Sequence, residues 1–303
     1  TNGLDPPGLD VAFGGGLYRC NGPISYNTIA NNRASAAGGG IYGCHGKIQN
    51  NRIAFNLAGG VHGSSGTLRG NVIEGNVGRG VRGFIGTVSE NEIICNVGGG
   101  LSYCRGEIAG NLIADNWKTG IGAGLSNCEG TITGNTITSN TSQSRGGGLF
   151  ECSGIIENNL ISANATDGDG GGISACEGLF RNNTIARNRA GRGAGVRSCS
   201  GQFVENDVES NRATWEGGGF DDCDGDFSGN KIRKNTALIG GGLYRCAGTF
   251  RNNTITSNSA PAGGGGMGDC RDVIVRNIIA WNRGGLGAIL LTLGLICGFF
   301  VVS

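Results

Sequence analysis

A chain of 303 residues with 63 glycines and four prolines is neither collagen, which needs glycine at every third position, nor a structureless linker. Its net charge of +1, with 16% charged residues, advertises no polyanion-binding or polybasic face, and no nucleic acid is expected as a partner. Two histidines, His45 and His62, stand at different repeat positions and are too few for a histidine-based metal site.

Residues 1–13 form a lead-in without a basic region followed by an apolar run, which predicts an already processed chain rather than a visible signal peptide. From residue 14 a phrase begins as GGGLYRCNGPISYNTIANN, returns as GGGIYGCHGKIQNNRIAFN and is still legible as GGGLYRCAGTFRNNTITSN. It recurs every 20 to 24 residues, about a dozen times, the signature of a solenoid stacked on itself. Aligned on the cysteine, the slot reads Cys20, Cys44, Ser64, Phe84, Cys104, Cys128, Cys152, Cys176, Cys199, Cys223, Cys246 and Cys270. Seven residues later every copy has asparagine: Asn27, Asn51, Asn71, Asn91, Asn111, Asn135, Asn159, Asn183, Asn206, Asn230, Asn253 and Asn277. Twelve after the slot comes a second asparagine, from Asn32 to Asn282, and nine after it Ile or Val, from Ile29 to Ile279.

In the first copy the recurring positions are Leu17, Cys20, Gly22, Ile24, Asn27, Ile29, Asn32 and Ala34. Steps of two are strand alternation, and the three-residue steps at 17–20, 24–27 and 29–32 mark corners that keep the next side chain inward. No segment sustains an apolar period of 3.6. The expected fold is therefore all-β: a right-handed parallel β-helix of about twelve triangular coils over residues 14–282, roughly 58 Å long at a strand spacing of about 4.8 Å. Inward asparagines fit it, because stacked amides can donate to one another and satisfy backbone groups at the corner. The glycine triplets answer positive φ or close approach.

Ten of the twelve cysteines form one column. In-register side chains hold their Cβ atoms farther apart than a disulfide prefers, so Cys104, Cys128, Cys152, Cys176 and their column mates are read as stacked buried thiols. Cys95 lies outside the column, facing solvent. The GGG[LI] element with Phe180-Arg-Asn-Asn183, Phe203-Val-Glu-Asn206, Phe227-Ser-Gly-Asn230 and Phe250-Arg-Asn-Asn253 resembles the GG[A/G]I and FxxN repeats of polymorphic outer membrane proteins over residues 14 to 282. The resemblance implies a surface-exposed adhesin or structural passenger, although the alternating strands of an autotransporter barrel are nowhere seen.

The main acidic cluster, Asp221, Asp222, Asp224 and Asp226, could bind Ca²⁺ as in β-helix polysaccharide lyases. The repeat register instead favours an exposed ladder of cross-strand charge pairs, with Asp221 one coil from Arg197 and Asp222 between Ser198 and Arg245. Asp167 and Asp169 are read as a solvated turn. Thr136-Ile-Thr138 and Thr254-Ile-Thr256 fit a flat ice-binding ladder locally, but Arg52, Glu92, Asp207 and Lys231 break it. The segment after the second asparagine is short following Asn56, Asn76 and Asn96, so long loops should form a ridge and short ones a notch. A carbohydrate-binding module would use that notch with Trp117 or Trp215.

The tail, residues 283–303, contains an uncharged apolar run from Leu286 to Val302, about 17 residues and at the lower limit for a bilayer span. With Leu290, Leu293, Phe299 and Phe300 it is expected to serve as an end-piece, a membrane contact or a head-to-tail subunit contact. The expectation is a non-enzymatic extracellular or cell-surface structural or adhesive solenoid, without a cofactor, whose partners are copies of itself or a surface glycan. The alternatives are a polysaccharide lyase or hydrolase and a carbohydrate-binding β-helix.

Overall fold

The computed structural model describes residues 13–285, together with the backbone of Ile289–Leu291 and Ile296–Cys297. Three parallel sheets run along the rod. The first has 13 strands, from Leu17–Tyr18 to Ile289–Leu291, and the second 13, from Ile24–Ser25 to Ile296–Cys297. The third has 12, from Thr28–Ala30 to Ile278–Ala280. The chain is a right-handed parallel β-solenoid, with no helix among the described residues. Register is strict: Ile132 lies beside Ile156 and then Phe180, and Ile137 beside Ile161 and then Ile185.

The coil of Cys152 shows how the corners form. Glu151 (φ 49°), Asn158 (φ 56°) and Ala163 (φ 55°) adopt the left-handed conformation immediately before Cys152, Asn159 and Asn164. Each such residue costs roughly 1 kcal/mol when it is not glycine. The asparagine beside it supplies the compensation. At a corner the backbone N–H has turned away from its ladder partner. Asn159 directs both its N–H and its Nδ2 to Oδ1 of Asn183, at 3.0 and 3.1 Å, and donates again from Nδ2 to the Ile132 carbonyl at 2.8 Å. Asn164 repeats the pattern with Asn188 and the Ile137 carbonyl. From the second coil to the one before last, both ladders are fully buried.

The slot residue makes the same closure with sulfur. The N–H of Cys152 donates to Sγ of Cys176 and that of Cys176 to Sγ of Cys199, both at 3.3 Å, while the Cys176 thiol donates to the Ser174 carbonyl. Serine can therefore stand in: Ser64 Oγ accepts the Cys44 N–H at 3.2 Å. Every described cysteine is a free thiol, the column is buried beyond the half-covered Cys20, and Cys95 is exposed. Burial pushes the Cys152 and Cys176 thiols well above their ordinary pKa.

The core widens along the rod. Phe180, Phe203, Phe227 and Phe250 stack face to face with ring centroids 4.6–4.8 Å apart, and Phe220 meets two of them edge-on. Phe84, the large residue in the cysteine slot, shares its coil with Val88, the smallest residue in the column that elsewhere holds Ile, Leu or Phe. Glycine acts twice in the triplet Gly38–Gly40. Gly38 takes φ +66°, and a Cβ on Gly40 would lie 2.6 Å from the Gly60 carbonyl oxygen and 2.9 Å from Ile53 Cγ2.

The triangular cross-section gains a fourth side where the loops are long. Trp117–Lys118, Thr141–Ser142, Ala165–Thr166, Arg189–Arg192 and Arg212–Glu216 pair into a five-stranded sheet. The ridge is thus hydrogen-bonded rather than irregular; several of its strands are two residues long, too short to show alternation. In the short coils only the single bridges of Leu57, Val77 and Val97 remain.

Candidate functional site

The second residue of each first-sheet strand points away from the core. In the long coils the incoming loop folds back over this outer column, so that Ser126, Phe150, Arg197 and Asp221 are buried there. What the column carries differs between the two halves of the rod.

In the C-terminal half it carries matched charges. Arg197 Nη1 lies 2.7 Å from Asp221 Oδ2, with side chains 11% and 0% exposed. The same guanidinium is 3.4 Å from Asp169 Oδ1, which also receives Arg192 Nε at 3.0 Å, and Arg145 is 3.9 Å from that carboxylate. Arg245 pairs with Glu216 and reaches Asp221 Oδ1 at 3.9 Å. Burial raises the Asp221 carboxyl to about 7, with Arg197 and Arg245 pulling the other way. Two expectations are corrected. The Arg197–Asp221 pair is not an exposed ladder, because the loop covers it, and Asp169 is a hub for three arginines rather than a solvated turn.

The four aspartates do not converge. Asp221 is in the first sheet under its loop, and Asp222 is an exposed corner residue accepting from Ser198 Oγ at 3.2 Å. Asp224 and Asp226 project from the second sheet, Asp226 being 3.5 Å from Arg251. Among the described residues no group of three or more His, Cys, Asp or Glu is placed to hold a metal ion. Trp215 is exposed beside a shallow depression lined by Asp167, Asp169, Arg192 and Glu216.

In the N-terminal half, where the loops are short, the notch carries unmatched charge. His62 and Arg82 occupy the outer column and face a cavity bounded by Ala58, Gly59, Gly78, Arg79 and Gly98. Arg79 Nη1 donates to Ser126 Oγ at 2.8 Å, so its side chain crosses the coil of Ser102 in between. The guanidinium carbons of Arg79 and Arg82 stand 5.8 and 5.6 Å from the centre of the Tyr103 ring. Lys118, half-buried on the first strand of the fourth sheet, lies within the electrostatic field of both arginines but outside the lining of that cavity, and its neighbour Trp117 bridges Val97. Burial and then the two arginines lower Lys118 to about 8; burial and then Arg82 lower Arg79 and His62. Among the described residues no carboxylate forms an ion pair with Arg79, Arg82 or Lys118. Ser102 Oγ is buried without a hydrogen-bond partner.

A net charge of +1 had suggested no cationic face, but a sum over the chain cannot show that acids and bases segregate along it. The available signal was Arg79 and Arg82 in VGRGVRG, basic residues in a short-loop coil. Among the described residues no helix is long and apolar enough to cross a membrane. Of the tail positions, Leu293, Phe299 and Phe300 lie outside the described residues, and Leu290 is placed only as backbone, in a strand beside Met267–Cys270.

No curated protein and no solved structure matches the chain. The family model described as "Right handed beta helix region" matches residues 122–276, half of the sequence, with the ladders and register described above running through that span. The chain therefore belongs to the right-handed β-helix family.

Proposed function

We propose that the protein is a non-enzymatic structural or adhesive element of a cell surface, similar in role to the passengers of polymorphic outer membrane proteins. The observation that carries this reading is the unbroken pair of asparagine ladders, which commits polar side chains in every coil to holding register. Outside, Arg69 is answered by Glu90, Arg105 by Glu129 and Arg233 by Asp207, ion pairs bridging one coil to the next. A rod built this way is suited to carry load or to present a long surface. Head-to-tail stacking through the first coil and the apolar tail would extend it into filaments. Electron microscopy of the purified chain and of a deletion of 284–303 tests the assembly: long particles that shorten to monomers on deletion support it, and monodisperse full-length rods refute it. Unsaturated product released from any member of a polyuronate panel would overturn the non-enzymatic reading in favour of a lyase.

A further inference from the structure

We propose that the short-loop notch binds a tetrahedral oxyanion, a sulfate or phosphate group, held by Arg79, Arg82, Lys118 and Ser102. This goes beyond the structural or adhesive role and does not depend on it.

Three independent observations meet at this place. The first is charge. Elsewhere on the rod many arginines are answered by an acid about one coil away, as Arg52 is by Glu74 and Arg181 by Glu157. In the notch three cations from two different coils share one ring, Tyr103, or one another's field, and none has a carboxylate. Burial lowers Lys118, and the two arginines lower it further, since clustered like charges disfavour their own ionisation unless an anion joins them.

The second is an unused donor. Ser102 is 0% exposed, lies in register between Arg82 and Ser126, and its Oγ has no partner. Buried hydroxyls are ordinarily hydrogen-bonded, so a native one left over in a ring of cations marks the place of an acceptor. The third is shape. The shortened loops uncover His62 and Arg82 in the outer column, and Ala58, Gly59, Gly78 and Gly98 line the opening largely with backbone. A guanidinium fork matches the oxygens of phosphate or sulfate in pairs. Arg79 and Arg82 line this cavity and Lys118 lies within electrostatic reach of both, a spread of cations that suits an anion whose oxygens point in several directions better than a planar carboxylate.

The test is isothermal titration calorimetry on the full chain with inorganic phosphate and inorganic sulfate, ionic strength being held constant with sodium chloride. One-site binding is expected, weakened at least tenfold by Arg82→Gln and by Lys118→Gln, several-fold by Ser102→Ala, and unchanged by Arg192→Gln in the charge-matched network. Arg82 is exposed, so its substitution leaves the fold intact; without added anion the thermal midpoint of Lys118→Gln should equal or exceed that of the wild type. No binding by the wild type, or equal binding by the wild type, Arg82→Gln and Lys118→Gln, overturns the proposal. A sulfated disaccharide that binds at least tenfold more tightly than inorganic sulfate assigns the group to a glycan; equal affinity assigns the site to the free ion.

Discussion

Asn135 donates twice to a single atom: its backbone N–H and its Nδ2 both reach Oδ1 of Asn159, at 2.9 and 3.0 Å. One amide thus closes a corner and a side chain in the neighbouring coil, and spends its own Nδ2 on Ile132 and Asn183. Asn159→Leu removes all of these at once. Each buried group left unpaired costs about 1–3 kcal/mol, so a loss of about 3–5 kcal/mol is expected from denaturant unfolding. An unchanged midpoint would show that the ladder does not hold register.

Asp221 gives a pH dependence of definite sign. Its folded carboxyl titrates at about 7, above the ordinary 3.8, so between those values the native state binds more protons than the unfolded chain. Its contribution to stability therefore falls as pH rises through that window, by at most about 1.4 kcal/mol per pH unit. Unfolding free energies measured from pH 4 to 8 should decline more steeply in the wild type than in Asp221→Asn. Parallel slopes would place the charge on Asp221 throughout.

The ladders and corners were legible because each repeats in every coil, so twelve imperfect copies average into one clear pattern. Asn27 to Asn277 could be assigned inward from spacing alone. Arg197 and Asp221 could not: their column points outward, and only the loop folding back over it buries them. The strand Trp117–Lys118 escaped notice because two residues carry no period. The notch was foreseen from loop length, but Arg79 reaches it from one coil and Lys118 from another, a meeting that no local motif records.

The thiols separate by burial. Folded protein should react rapidly at Cys95, and denaturation without reductant should release the buried column to the reagent. Cys95→Ser should remove one equivalent from the fast phase and none from the slow one. A denatured chain with almost no free thiol would establish disulfides along the column.

Phe84 and Val88 exchange volume within one coil. Phe84→Cys, which restores the repeat pattern, should leave a cavity and destabilise the rod by about 2–4 kcal/mol. Adding Val88→Phe recreates the pairing of Cys199 with Phe203, and the double variant should recover much of that loss. Additive losses in thermal or denaturant unfolding would show that the two positions do not share space.

The ladders also give the molecule a direction. Along the ladders each asparagine donates toward the C-terminal coil and accepts from the N-terminal one, and among the described residues the two chains run in that one sense from Asn27 and Asn32 to Asn277 and Asn282. The two faces of the rod are unlike in hydrogen-bonding sense, as the two poles of a magnet are unlike. A second rod can prolong these chains only by arriving with the same orientation, since the opposite one sets oxygen against oxygen. Any stack built on the ladders is therefore an arrow, with a growing face chemically distinct from its base.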